Sequence, residues 1–232
     1  MVKQNEMMDR PVVMPKVRDY IRTNQKQLTG PLKELQDFAS ENRVPVIPHE
    51  TVVYLDWLFD LMKPQNVLEV GTAIAFSTIL MAERVGEGGH ITTIDRNPKM
   101  TVHAKENIKN FDLEDDITLL EGDAVDILPT LEGPYDFIFM DSAKAKYYDF
   151  FPYLMDVLET GGVLAIDDVL QGGTIVDDLE DIPRRVRTIH KKLNKFLDYV
   201  LTHKSLKASI LPLGDGLLLI TKQEDYDFKS EM

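Results

Sequence analysis

From Asn66 onward, short apolar runs rich in β-branched residues alternate with longer amphipathic stretches: NVLEV at 66–70, HITTI at 90–94, ITLLE at 117–121, DFIFM at 136–140 and GVLAI at 162–166. A short run that is apolar on both faces predicts a strand covered on both sides, and a long amphipathic stretch between two such runs predicts the crossover helix of a βαβ unit. The pattern therefore specifies an α/β fold, with a mainly parallel sheet and helices on both faces. ASILP at 208–212 and GLLLI at 216–220 break the rhythm, because only the Gly214-Asp215-Gly216 region separates them. That connection is too short for a crossover and predicts an antiparallel hairpin. Ahead of the sheet, helices are expected at about 14–27, 31–42 and 49–62, the last opening near Pro48 and stopping before Pro64. They would cap a site or pair two subunits. After Lys222 the sequence QEDYDFKSEM is polar, and a frayed end is expected there.

No low-complexity break divides the 232 residues, and a hydrophobic content of 44% supplies one well-buried core. A single domain over 1–232 is expected, with a helical segment at 1–62 and the sheet region at 66–222. The formal net charge of −13 argues against a surface that coats nucleic acid generally, since such surfaces neutralise phosphates with an excess of Lys and Arg. Any RNA contact has to be local. With no cysteine, disulfides, thiolate metal sites and cysteine nucleophiles are excluded outright. The opening MVKQNEMMDR lacks the apolar centre of a signal peptide, and no apolar run approaches the roughly 18 residues of a membrane helix. A soluble, cytoplasmic protein without a membrane partner is the expectation.

In open parallel sheets a ligand sits beyond the carboxyl ends of the strands, where the first strand-to-helix turn offers backbone N–H groups. VLEVGTAIAFS at 67–77 has that form, with Gly71 at the bend; Asp95 closes the next run 24 residues later, placed to accept hydrogen bonds from ribose hydroxyls. A turn glycine and a helix-capping acid ahead of Pro98 explain the same two residues. Asp141 directly follows the fourth run and Asp167-Asp168 the fifth, so three carboxylates end two buried strands on the ligand side. Packed together they repel and raise one another's pKa, a conflict that an oxygen-preferring divalent cation such as Mg²⁺ relieves. Capping and turn roles account for either group alone, and their joint placement favours the cation. Lys144 lies three residues beyond Asp141 and becomes a candidate general base beside a bound cation. Asp123-Ala124, in the turn after the third run, could meet an adenine edge, although a plain strand-to-helix connection explains them nearly as well. Between Arg184 and Lys207, eight basic residues, among them Arg184, Arg185, Arg187, Lys191 and Lys192, face one acid, Asp198. Such a run is either a solvated helix face or a phosphate-binding patch.

Taken in order, VPVI at 44–47, LEVGTAI at 68–74, GDA at 122–124, DSAK at 141–144, IPRRVR at 182–187 and LPLGDGLLL at 211–219 resemble the divalent-metal-dependent, S-adenosylmethionine-dependent O-methyltransferases of the catechol and caffeoyl-CoA type. Within that family the pattern is most similar to the bacterial tRNA 5-hydroxyuridine O-methyltransferases. The resemblance implies a Rossmann-like, seven-stranded class I methyltransferase sheet, mainly parallel with an antiparallel last strand, in a homodimer. S-adenosylmethionine and Mg²⁺, or another divalent cation, are the implied cofactors. The resemblance places Glu69, Gly71, Thr72, Ser77 and Asp141 around the methionine moiety with a backbone contact from Ile47, Asp95 on the ribose, and Asp123 with Ala124 on the adenine. It places Asp141, Asp167 and Asp168 on the metal, and makes Lys144 and Asp141 the catalytic pair. The implied acceptor is wobble 5-hydroxyuridine of tRNA, converted to 5-methoxyuridine, with Arg184, Arg185, Arg187, Lys191 and Lys192 gripping the anticodon arm. A small catechol- or phenylpropanoid-type acceptor is the alternative, and a non-catalytic RNA-binding protein a more remote one. Three positions depart from the family's usual pattern: Ala75 for glycine, Asp95 for glutamate and Asp168 for asparagine. Ala75 matters if the turn needs a positive φ, and Asp168 adds negative charge beside the metal.

Overall fold

A computed structural model describes residues 12–231; residues 1–11, the start of the expected N-terminal segment, and residue 232 lie outside the described residues. Three helices, α1 (Pro15–Asn24), α2 (Pro31–Glu41) and α3 (His49–Met62), precede the sheet. α1 and α2 open on proline, whose missing N–H costs nothing in a first turn, and α3 ends at Lys63, in the left-handed conformation just before Pro64. α1 is shorter than expected. Gln27 is the cause: its side-chain amide donates to the carbonyls of Arg22 and Gln25 at 2.8 and 2.9 Å, closing the helix end.

The sheet region then runs β1 (Asn66–Val70), α4 (Phe76–Ala82), β2 (His90–Asp95), α5 (Pro98–Asn110), β3 (Ile117–Glu121), α6 (Ala124–Ile127), β4 (Tyr135–Met140), α7 (Tyr147–Val157), β5 (Leu158–Ile166), α8 (Arg187–Thr202), β6 (Leu206–Leu211) and β7 (Leu217–Lys222). The seven strands lie in the order β3-β2-β1-β4-β5-β7-β6. β1 to β5 are mutually parallel, and β7 runs antiparallel to both β5 and β6, as the short Gly214-Asp215-Gly216 turn requires. One strand was underestimated. β5 begins at Leu158, four residues ahead of GVLAI, and its register against β4 shifts between Tyr135 and Phe137, where Gly161 and Gly162 blur the apolar pattern.

Two apolar layers sandwich the sheet. On one face α3 and α4 bring Val52, Leu55, Phe59, Phe76 and Ile79 onto Phe137 and Phe139, with the Phe59 and Phe137 rings edge to face at 4.8 Å. On the other, α7 and α8 press Phe151, Leu154, Leu193 and Phe196 against Ile138 and Met140. α1 buries no residue and is tied down through the Arg22 guanidinium, which donates to both oxygens of the buried Glu50 at 2.8 and 3.0 Å. Among the described residues, no helix is long and apolar enough to cross a membrane.

The end after Lys222 is not frayed. Phe228 is buried against Phe151, His203 and Tyr226; Lys229 pairs with Asp156 at 2.6 Å, and Glu231 accepts a hydrogen bond from the Tyr199 hydroxyl at 2.9 Å. A polar composition concealed one aromatic anchor, two of whose partners, Phe151 of α7 and His203 just past α8, are distant in sequence.

Candidate active site

Main-chain hydrogen bonds that continue the parallel ladders set five strand ends side by side. Gly122 N donates to Asp95 O at 3.0 Å, Gly71 N to Ile94 O at 2.9 Å, Asp141 N to Val70 O at 3.0 Å and Asp167 N to Met140 O at 3.0 Å. The chain leaves β1 toward β2 on one side and returns as β4 on the other, so the crevice between β1 and β4 is the switch point at which open α/β sheets bind ligands. Gly71 and Asp141 meet there.

Gly71 has φ 113, and a Cβ on it would overlap the Asp141 carbonyl group, so two strands approach backbone to backbone. Ala75, at the N-cap of α4, also needs a positive φ, 65, and does so with a methyl group fully buried in the core. Its strain is structural, because Ala75 does not line the cleft described below. Ala75→Gly relieves about 1 kcal/mol of left-handed strain but forfeits about 0.8 kcal/mol of methyl burial and loosens the unfolded chain. We expect equilibrium urea denaturation to place this variant within about 1 kcal/mol of the wild type.

A cleft of about 230 Å³ opens over the strand ends, with Val70, Ile94, Val125 and Phe150 as apolar walls and Gly71, Asp95, Asp123, Ala124 and Asp141 among its lining residues. Asp95 does not cap the next helix; Asn97 does. Instead the Asp95 carboxylate accepts from Ala73 N and from Asn97 N, each at 2.8 Å, which binds the β1 turn to the end of β2. Asp123 does cap α6, accepting from Val125 N at 3.0 Å, and pairs with Arg96 at 2.8 Å; the capping bond and then Arg96 hold its pKa below the usual range. The sequence reading missed Arg96, Phe150 and Ser142. The Ser142 hydroxyl is buried at the cleft wall and, among the described residues, has no hydrogen-bond partner, as a group that serves a ligand would.

Other expected cofactor residues lie beneath the cleft. Glu69 is fully buried and accepts hydrogen bonds from Ser77 at 2.6 Å, from Thr93 at 2.6 Å and from Thr78. Thr72 joins the same net through Thr93, their hydroxyls 2.6 Å apart. Burial raises the Glu69 pKa, and the hydroxyls oppose that only in part. Glu69 and Ser77 thus bond to each other beneath the turn, and Thr72 reaches Glu69 through Thr93. Ile47 is buried in the core beside α3.

Asp141 is half-buried yet surrounded by protein, and burial, with the charges of Asp168 and Glu69, lifts its pKa to about 7 despite Lys144. Asp167 is buried, and desolvation first, then Asp141, pushes its carboxyl upward as well. A divalent cation fits this donor set chemically, since hard oxygen ligands that destabilise one another are stabilised together by it. The geometry is less complete. Among the described residues, no three Asp, Glu, His or Cys side chains converge on a metal position. The Asp167 carboxylate accepts from Asp168 N at 2.9 Å, and Asp168, at φ 66, points to Lys144 Nζ, 3.1 Å away. A left-handed backbone suits Asp and Asn alike, which explains why aspartate can stand at 168.

Lys144 Nζ also meets Asp215 Oδ2, at 3.0 Å, so the expected base enters the site bridged between two carboxylates. Asp215 escaped the sequence reading because an acid between two glycines reads as a turn residue. In the basic segment, Arg184, Arg185 and Lys191 are exposed. Arg187 is turned inward, donating to the carbonyls of Ile182 and Glu180 at 2.8 and 3.0 Å, and Lys192 reaches Ala145 O and Asp149 at 3.3 and 3.4 Å.

The seven-stranded sheet with its antiparallel last strand and switch-point cleft is the Rossmann-like fold of class I methyltransferases. SAH-bound Podospora anserina methyltransferase PaMTH1 superposes with a TM-score of 0.80 at 24% identity, over 97% of this chain and 99% of that one. Cofactor-bound Rv0187 from MTB does so with a TM-score of 0.77 at 25% identity, over 91% and 98%. A family profile described as O-methyltransferase matches residues 23–223, and the chain belongs to that family of enzymes. Among its relatives, "Probable caffeoyl-CoA O-methyltransferase 2" of Dictyostelium discoideum is 28% identical over 89% of this chain and 91% of its own length. "Catechol O-methyltransferase" of Niastella koreensis is 33% identical over 54% and 58%.

Proposed function

We propose that this O-methyltransferase moves the methyl group of S-adenosylmethionine onto one of two adjacent oxygens of a small catechol-type acceptor, with the help of a divalent cation. The observation that carries this reading is the junction of two features at one switch point: the cleft over Gly71, Asp95 and Asp123, and the cluster of Asp141, Asp167, Asp168 and Lys144 at its edge. The relatives' names, caffeoyl-CoA and catechol enzymes, support a small acceptor over tRNA.

Transfer breaks the methyl–sulfur bond and forms a methyl–oxygen bond, leaving S-adenosylhomocysteine, while the acceptor hydroxyl gives up its proton. Asp95 and Asp123 would take the ribose and adenine; the Ser142 hydroxyl and the Gly71 turn would border the reacting end. Asp141, Asp167 and Asp168 would hold the cation, which supplies a lowered proton affinity at the acceptor hydroxyl. Lys144, acting as the neutral amine, would orient that hydroxyl and receive its proton, and the backbone-to-backbone contact of Gly71 with Asp141 would fix cofactor and acceptor in line. A homodimer and a cytoplasmic setting belong to the same reading.

The exposed Arg184, Arg185 and Lys191 favour a second acceptor, the 5-hydroxyuridine of tRNA, whose O5 and O4 are also adjacent. Labelled S-adenosylmethionine and Mg²⁺ with either catechol or tRNA lacking 5-methoxyuridine separates the two. Label in methylated catechol and none in tRNA is expected; label in tRNA alone overturns the small-acceptor reading.

A further inference from the structure

The turn between β6 and β7 does more than reverse the chain. Asp215 at its centre is 6% exposed, and the glycines beside it take positive φ, 53 at Gly214 and 92 at Gly216, which swings the carboxylate inward toward the ends of β4 and β5. Its two oxygens divide their work. Oδ2 accepts from Lys144 Nζ at 3.0 Å, and Oδ1 accepts from the Gly172 amide. The Asp215 main chain grips the same loop, its carbonyl accepting from Leu170 N at 2.8 Å, while Gly216 O accepts from Val169 N at 3.1 Å. Lys144 in turn reaches Asp168 on that loop at 3.1 Å. One carboxylate therefore joins the lysine that follows β4 to the loop that follows β5, and it does so outside the cleft over Gly71 and Asp123.

We propose that Asp215 is a positioning residue: it fixes the Lys144 ammonium and the Asp168–Gly173 loop relative to one another on the acceptor side of the site. The assignment rests on the catechol-type reading for its kinetic consequence, though not for its structural one. A lysine on four rotatable carbons has no orientation of its own, and a carboxylate buried beside it supplies one. Asp168 alone cannot, because it is on the loop that itself needs holding.

Because the two oxygens have different partners, two substitutions separate the two tasks. Asp215→Asn keeps an acceptor for the Gly172 amide and loses the charge facing Lys144; Asp215→Ala loses both. With catechol as acceptor, Asp215→Asn is expected to lower kcat about tenfold while the S-adenosylmethionine Kd stays within about twofold, as for a group acting in turnover and not in cofactor binding. Adding Asp215→Asn to Lys144→Ala should slow the enzyme no further than Lys144→Ala alone, since a residue that acts through the lysine has nothing left to position. Amide hydrogen exchange at Leu170–Gly173 should quicken at least about tenfold in Asp215→Ala and stay near wild type in Asp215→Asn. A kcat within twofold of wild type in Asp215→Asn, a further loss in the double variant, or unchanged exchange in Asp215→Ala would each overturn the proposal. The exchange comparison needs no acceptor. A wild-type enzyme that ignores catechol therefore refutes the acceptor assignment and leaves the clamp to be judged by exchange alone.

Discussion

Gly71→Ala is expected to cost roughly 3–6 kcal/mol of stability and to abolish S-adenosylmethionine binding. Two penalties add. The φ of 113 lies where an L side chain is strained, and the new Cβ would meet the Asp141 carbonyl group. The obstacle is main chain and cannot rotate aside. Relief requires the ends of β1 and β4 to part, and those ends are held by the Asp141 N to Val70 O bond of 3.0 Å. The crevice would open where its walls must be closest. Urea denaturation and isothermal titration measure the two losses. A variant with wild-type stability and affinity would show that the backbone approach at Gly71 is not what shapes the site. Ala75→Gly, four residues on, changes the same kind of backbone angle with almost no net effect, so the pair distinguishes strain at the ligand from strain in the core.

The second large effect is a reversal in how stability depends on pH. In chelator-treated protein, stability should fall as pH rises from about 4 to about 7, by a few kcal/mol. Burial and its acidic neighbours raise the Asp141 pKa from an ordinary 3.8 to about 7 in the folded protein, so between these the folded state keeps a proton that the unfolded chain has lost. The unfolded state binds fewer protons, and the slope is negative. Asp167, raised by the same causes, adds to the fall and widens its range. Mg²⁺ would bind the ionised, folded acids and not the unfolded chain, and so should restore the stability that high pH removes. Thermal melts at pH 5 and pH 8, with chelator and with Mg²⁺, test this. Equal melting temperatures at both pH values in chelator, or a fall as large in Asp141→Asn, would sink the assignment of the effect to that carboxyl.

Much of the architecture was legible because the central strands β1, β4 and β5 end in short buried runs without a long polar break, and because the hairpin turn is too short for a crossover. Residues that act through neighbours close in sequence were legible in kind: the Gly71 bend and the strand-to-helix connection at Asp123 stand where the local pattern placed them, whereas the capping role open to Asp95 falls to Asn97. What escaped depends on contacts across the fold. Gly71 was recognisable as a bend, but its reason is a carbonyl 70 residues away, at Asp141. Asp215 resembled any acid in a glycine turn until Lys144 and Gly172 met it. Glu69 and Ser77, expected at a ligand, bond to each other, and the polar end of the chain hides Phe228 in the core. Periodicity reports which face of an element is apolar, and it carries no record of which distant group lies opposite a polar one.

The order of the strands has a consequence for mechanics. The cleft takes Gly71 from the end of β1, near the middle of the sheet, and Asp123 from the end of β3, a border strand that pairs with β2 alone. A molecule stretched between them acts as a staple from the centre of the sheet to its rim. It would lend rigidity to a strand with a single neighbour, so a filled enzyme should resist peeling at β3 more than an empty one does.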